Sequence, residues 1–203
     1  MRRGVSGLMR AERKEPSGNG RTSALELAVG DVVVYASHGI GRVIARQGGQ
    51  SGGQETVVLE FGTELTVTLP LDRAQESLRP LLGKPELESV QRTLSDKWSP
   101  AVQPWSKRFR NIQDKVRAGE VTGLAEVVRD GVQRERQLAL RGGAATSPSE
   151  RHLYIKARKL LAEEIGLVQG IDADDADVWI VEQIPPSTQP VGRETAAEGR
   201  DLV

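Results

Sequence analysis

The sequence predicts an α+β fold in two domains: a small, strongly bent antiparallel sheet or barrel over residues 24–83, then a compact four-helix domain over residues 84–168. Three observations carry that reading. β-Branched runs separated by glycine-rich turns fill the first segment, apolar residues at helical spacing fill the second, and the charge changes sign between them. The 203 residues have zero net charge, from 28 basic and 28 acidic side chains. That balance conceals six basic and two acidic residues in 1–23, four and seven in 24–83, sixteen and eleven in 84–168, and two and eight in 169–203. An acidic module followed by a basic one implies two units with different partners.

The leader, residues 1–23, is rich in Arg, Gly and Ser, lacks an apolar period, and is expected to be disordered. From Leu25 the signals become those of strands. Val32-Val33-Val34-Tyr35 is a β-branched run, a glycine-containing turn follows, and Arg42-Val43-Ile44-Ala45 returns. "GGQSGG" reads as a hairpin tip, and "ETVVLEF" and "ELTVTLPL" as two further strands separated by Gly62-Thr63. Four or five short strands in so little chain require tight bending, and no helical spacing is visible before Pro85.

Beyond that point the period is helical. Pro85 fits a first helical position, with Leu87, Val90 and Leu94 on one face. Trp105, Phe109, Ile112 and Val116 form the next apolar stripe, which Gly119 ends. A third helix starts near Thr122 and runs through Leu124, Val127, Val128, Val132 and Leu138, weakened in its middle by Gly131. Ser147-Pro148-Ser149-Glu150 is a capping box that opens a last helix to about Ile165, burying Leu153, Ala157, Leu160 and Leu161. Residues 169–203 read as an acidic, mostly disordered tail, in which "VWIVEQI" could dock as a short strand.

Catalytic chemistry finds little support. Cysteine is absent, which excludes disulfide frameworks, thiol nucleophiles and cysteine-ligated zinc, and accords with a cytoplasmic setting. His38 in a turn and His152 on a helix surface have no second ligand at metal spacing. Gly39-Ile40-Gly41 lacks the third glycine and the following helix of a dinucleotide fingerprint, so its glycines serve a hairpin turn. Asp172, Asp174, Asp175 and Asp177 depart from a calcium loop, where Asp177 and Gln183 hold the places of the required Gly and Glu. No enzyme, cofactor or metal site is expected. No apolar run is long enough for a membrane-spanning helix, and the leader lacks the apolar centre of a secretory signal.

The basic half carries more information. "WSKRFR" sets Lys107, Arg108 and Arg110 beside Trp105, and of the cations on this helix Lys107, Arg110 and Arg117 lie away from the buried stripe and are free to meet phosphates. Trp105 reads two ways: as the first core residue of an amphipathic helix, or as a ring projecting beyond the bundle from the first turn, suited to stacking on a base or wedging a base step. In the β-module an incomplete barrel leaves a strand edge able to recruit a partner strand. Two functions follow: a nucleic-acid-binding regulator, or a protein-interaction adaptor whose helical cations are only solvated.

"VGDVVVYASHGIGRV" resembles the opening of the CarD/CdnL family and of the polymerase-interacting domain of transcription-repair coupling factors, through Val29, Gly30, Asp31, Val33, Val34, Tyr35, His38 and Gly39. "PWSKRFR", "AGEVTGLAEVVRDGVQRE" and "SPSERHLYIKARKLLAEEI" are similar to later motifs of the CarD/CdnL family alone, so the likeness runs from about Leu25 to Val168. It implies a non-enzymatic bacterial transcription regulator that acts as a monomer in the cytoplasm. Its Tudor-like module would bind the RNA polymerase β subunit by strand-edge pairing, through Arg42, Arg46, Thr66, Val67 and Thr68. Its helical module would hold promoter DNA largely independently of sequence, with Trp105 as a minor-groove wedge and Lys107, Arg108 and Arg110 on the backbone. Thr68 stands where the family often has arginine, and Gly131 replaces a usual leucine, from which a locally looser third helix is expected.

Overall fold

The computed structural model describes residues 25–48, 54–62, 64–99, 104–141 and 146–186. The basic leader, the tip of the long hairpin and the end of the acidic tail lie outside the described residues. Five strands, β1 (Val32–Tyr35), β2 (Gly39–Gln47), β3 (Thr56–Phe61), β4 (Leu65–Pro70) and β5 (Leu78–Pro80), form one antiparallel sheet ordered β4-β3-β2-β1-β5. One face buries Leu27, Val33, Val43, Val57, Leu59, Phe61, Ala74 and Leu78. The β1–β2 turn uses Gly39 at φ +84°, a conformation that side chains with a Cβ rarely adopt. Gly41 serves differently, because a Cβ there would stand 2.5 Å from the Phe61 ring.

The sheet does not close into a barrel. β4 and β5 lie at opposite edges, and the chain passes between them through a short helix, α1 (Leu71–Ser77), that the sequence reading lacked. Pro70 ends β4 and has no N–H to continue a ladder, so the chain turns there and α1 lays Ala74 on the core before β5 returns beside β1.

Among the described residues the second module holds five helices rather than four: α2 (Lys84–Ser95), α3 (Trp105–Ala118), α4 (Val121–Arg141), α5 (Pro148–Gln169) and α6 (Ala173–Glu182). Their core is built around Val90, Leu94, Leu124, Val128, Leu161 and Ile165. Gly119 and Gly170 end α3 and α5 in left-handed conformations, and the Ser147 hydroxyl caps α5 by accepting from the Glu150 N–H at 3.3 Å.

Helix α6 occupies the segment read as a strand within an acidic tail. Its aspartates explain it: the Asp172 side chain accepts from the Asp175 N–H at 2.7 Å as N-cap, and Asp174 and Asp175 complement the positive end of the helix. Ala176, Ile180 and Ile184 recur every four residues and are buried. The Gln133 amide donates to the Pro185 carbonyl at 2.7 Å, and the Gln91 amide to the Gln183 side chain at 2.9 Å, so α4 and α2 hold the end of this segment.

The looser helix expected at Gly131 is also not observed. α4 is continuous, and a Cβ at Gly131 would stand 2.3 Å from the Tyr154 ring. Absence of a side chain there makes room for the ring of α5, so the site is filled rather than slack.

Candidate nucleic-acid and protein interfaces

Helix α3 begins on Pro104 and carries its stripe inward through Phe109, Ile112 and Val116. Trp105 stands at the open end of that stripe. It is 50 % exposed, and its indole stacks on the Phe109 ring at 5.3 Å between centroids and 13° between planes. The ring is thus neither core nor free: one face is braced by a second aromatic while half of its surface meets solvent.

The three cations beside it separate into two kinds. Lys107 and Arg110 are exposed, and neither forms an ion pair among the described residues. Arg108 turns inward. Its Nε lies 2.9 Å from Oε1 of Glu150 and its Nη2 3.4 Å from Oε2, and Glu150 is 5 % exposed. Arg134 of α4 stands 3.9 Å from the same Oε1. Burial, and next the charge of Arg108, hold the Arg134 guanidinium below its ordinary range, while Glu150 and Asp130 oppose that shift. Arg108 therefore anchors α3 onto α5, in place of the outward, backbone-facing position expected of it. One signal was available: Arg108 precedes Ile112 by four residues and so flanks the buried stripe, whereas Lys107 and Arg110 lie across the helix from it.

In the sheet, among the described residues, β4 has a strand neighbour on one side only. Thr66 and Thr68 point to solvent, while Val67 is half-buried against the core. Register places Arg42 opposite Glu60 and Glu60 opposite Thr66, so these three form a row across the outer face of β2, β3 and β4. Arg46 is not in that set. The ladder shifts register between Val43 and Ala45 and brings Arg46 opposite the buried Val57. From there its Nη1 donates to the Leu27 carbonyl and its Nε to Glu55, both at 2.9 Å. Of the expected polymerase contacts, the structure gathers Arg42, Thr66 and Thr68 on one face and turns Val67 and Arg46 away.

His38 lies in the β1–β2 turn, with its N–H on the Tyr35 carbonyl at 3.0 Å and its ring 5.3 Å from Tyr35 and 5.4 Å from Phe61. Among the described residues no group of three or more His, Asp or Glu side chains could hold a metal ion, and no helix is long and apolar enough to cross a membrane.

The two modules follow, in order, two known domain types. Residues 27–82 match the CarD-like/TRCF RID domain, and residues 89–181 match the domain described as CarD, C-terminal, a span that takes in nearly all of α6. Domains of these types are interaction modules, and the pair defines a transcription regulator that interacts with RNA polymerase. The chain belongs to the CarD family. It is similar to "Putative transcription factor YdeB" of Bacillus subtilis (strain 168), at 27% identity over 147 residues, 70% of this chain and 92% of that protein.

Proposed function

We propose that the protein docks on the β subunit of RNA polymerase through the β4 edge and stabilises the promoter open complex by wedging Trp105 at the upstream edge of the melted DNA. Lys107 and Arg110, on the other side of the same helix, contact backbone phosphates. One observation carries the reading: an indole half-exposed at a helix start and braced on Phe109, on a helix whose opposite side carries the exposed, unpaired cations Lys107 and Arg110, in a chain of a polymerase-interacting family. A rigid, pre-stacked ring loses little entropy on insertion, and a base step opened by an apolar wedge costs a few kcal/mol. Strand separation at a promoter is close to balanced, so each ~1.4 kcal/mol supplied at the fork shifts the open population about tenfold.

Replacing Trp105 with Ala tests this directly. Truncating a half-exposed ring leaves the helix folded by circular dichroism, and the lifetime of open complexes on a weak promoter falls to that seen without the protein. A folded variant that prolongs the lifetime as the wild type does refutes the wedge. Retention of the chain on immobilised core polymerase tests the tether separately.

A further inference from the structure

The two modules are joined covalently only through residues 81–83, between β5 and α2. A second joint is made by side chains. Arg79 of β5 donates from Nη1 to Oε1 of Glu164 at 2.6 Å and from Nη2 to Oε2 at 2.7 Å, and its Nε reaches the Gly119 carbonyl at 3.0 Å. Glu164, on α5, is 1 % exposed, and its Oε1 also accepts the Leu82 N–H at 2.9 Å. One planar guanidinium thus ties the last strand of the sheet to α5 and to the residue that caps the C-terminus of α3. Backbone contact completes the seam: Cβ atoms at Gly119 and Gly39 would stand 2.5 Å from Ala36 Cβ and 3.2 Å from Leu160 Cδ2.

A buried ion pair is a weak source of net stability, because desolvation offsets most of the attraction. Its distinctive contribution is direction, since the fork of Arg matches a carboxylate in one plane only. The partner chosen here matters. Gly119 ends the helix that presents Trp105, and a 14-residue helix is about 21 Å long. A rotation of about 15° at that end would carry the Trp105 end about 5 Å, more than the separation of stacked bases.

From this geometry we infer that Arg79 and Glu164 are positioning residues, which fix the sheet module and helix α3 at one mutual angle. Their consequence for transcription rests on the function proposed above: a chain held by polymerase at the β4 edge delivers Trp105 to the fork only while that angle is held. Arg79→Lys keeps the charge and loses the fork, whereas Glu164→Gln keeps one oxygen for the Leu82 N–H and loses the paired carboxylate.

The experiment uses the full chain, which lacks cysteine and so accepts spin labels at cysteines introduced at the exposed residues Arg73 on α1 and Glu88 on α2. Electron–electron distance distributions are recorded for the labelled parent, Arg79→Lys and Glu164→Gln, each checked for fold by circular dichroism. The parent gives one narrow distribution and both variants broad ones. Both variants remain bound by core polymerase yet lose open-complex lifetime by the factor lost in Trp105→Ala. Distributions as narrow as the parent's overturn the inference, as does a broadened variant that still prolongs the open complex fully. Should the parent itself leave open complexes unaffected, the proposed function fails, and the distance distributions still decide whether the clamp sets the angle.

Discussion

Replacing Arg108 with Ala separates two roles that the family resemblance runs together. The side chain supports the buried carboxylate of Glu150, and losing one partner of such a pair costs about 3–5 kcal/mol. Two features reduce the figure here: Arg134 stands 3.9 Å from the same oxygen, and the Arg108 side chain retains 21% exposure. An expected loss of about 2–3 kcal/mol, at a urea dependence of about 2 kcal/mol per molar, lowers the unfolding midpoint by about 1–1.5 M. The chain offers a convenient probe. Its three tryptophans, Trp98, Trp105 and Trp179, all belong to the helical half, so their fluorescence follows that module. Lys107→Ala and Arg110→Ala are surface changes and leave the midpoint within about 0.5 kcal/mol of the parent. Each instead reduces the slope of log K for DNA against log salt by about one, the signature of a lost phosphate contact. An Arg108→Ala protein with the parent's midpoint and a slope reduced like that of Lys107→Ala would refute the assignment, and would return Arg108 to the DNA-facing set.

Three further outcomes follow from the interior of the helical module. Gly131→Ala gains about 1 kcal/mol of helix propensity but drives a Cβ to within 2.3 Å of the Tyr154 ring, where overfilling costs about 1–3 kcal/mol. The substitution therefore lowers the melting temperature, and the same change made in a Tyr154→Leu background raises it. Ile180→Ala, in a helix not foreseen from sequence, removes a fully buried side chain and costs about 2–5 kcal/mol in urea unfolding; a change below about 0.5 kcal/mol would mean that α6 is dispensable to the module. Burial, above all, raises the Tyr154 phenol above its ordinary pKa of 10.0, against the lowering influence of Arg158. With the folded value raised, this stabilising contribution is complete below pH ~10 and is lost as pH climbs toward the folded value, because the unfolded phenol ionises first. Urea midpoints at pH 8 and 11 therefore converge more closely in Tyr154→Phe than in the parent.

What the sequence shows and what it hides divide along the range of the interactions involved. Gly119 and Ser147 specify helix ends through their own backbones, and alternation in "ETVVLEF" specifies a strand through its own spacing, so these were legible. Closure of the sheet was not, since it depends on whether the chain beyond Pro70 returns beside β4 or crosses to β1. Helix α6 was hidden differently. Ala176, Ile180 and Ile184 carry a clear period of four, but the aspartates among them favoured an acidic-tail reading, although acidic residues at a helix start are stabilising there.

Glu150 shows how a correct local reading can conceal the functional one. Ser147-Pro148-Ser149-Glu150 predicts a reciprocal cap, in which the glutamate reaches back to the serine N–H. Only the first half of that exchange is formed: Ser147 accepts from the Glu150 N–H, while the Glu150 carboxylate accepts from Arg108 and faces Arg134. A capping hydrogen bond contributes about 1 kcal/mol, whereas a carboxylate 5 % exposed between two guanidiniums answers charges that would otherwise be left buried and uncompensated. The tertiary demand therefore wins, and the start of α5 becomes the anchor of α3. Disturbing Glu150 should for that reason be felt at Trp105, forty-five residues earlier in the chain and on the face proposed above to meet DNA.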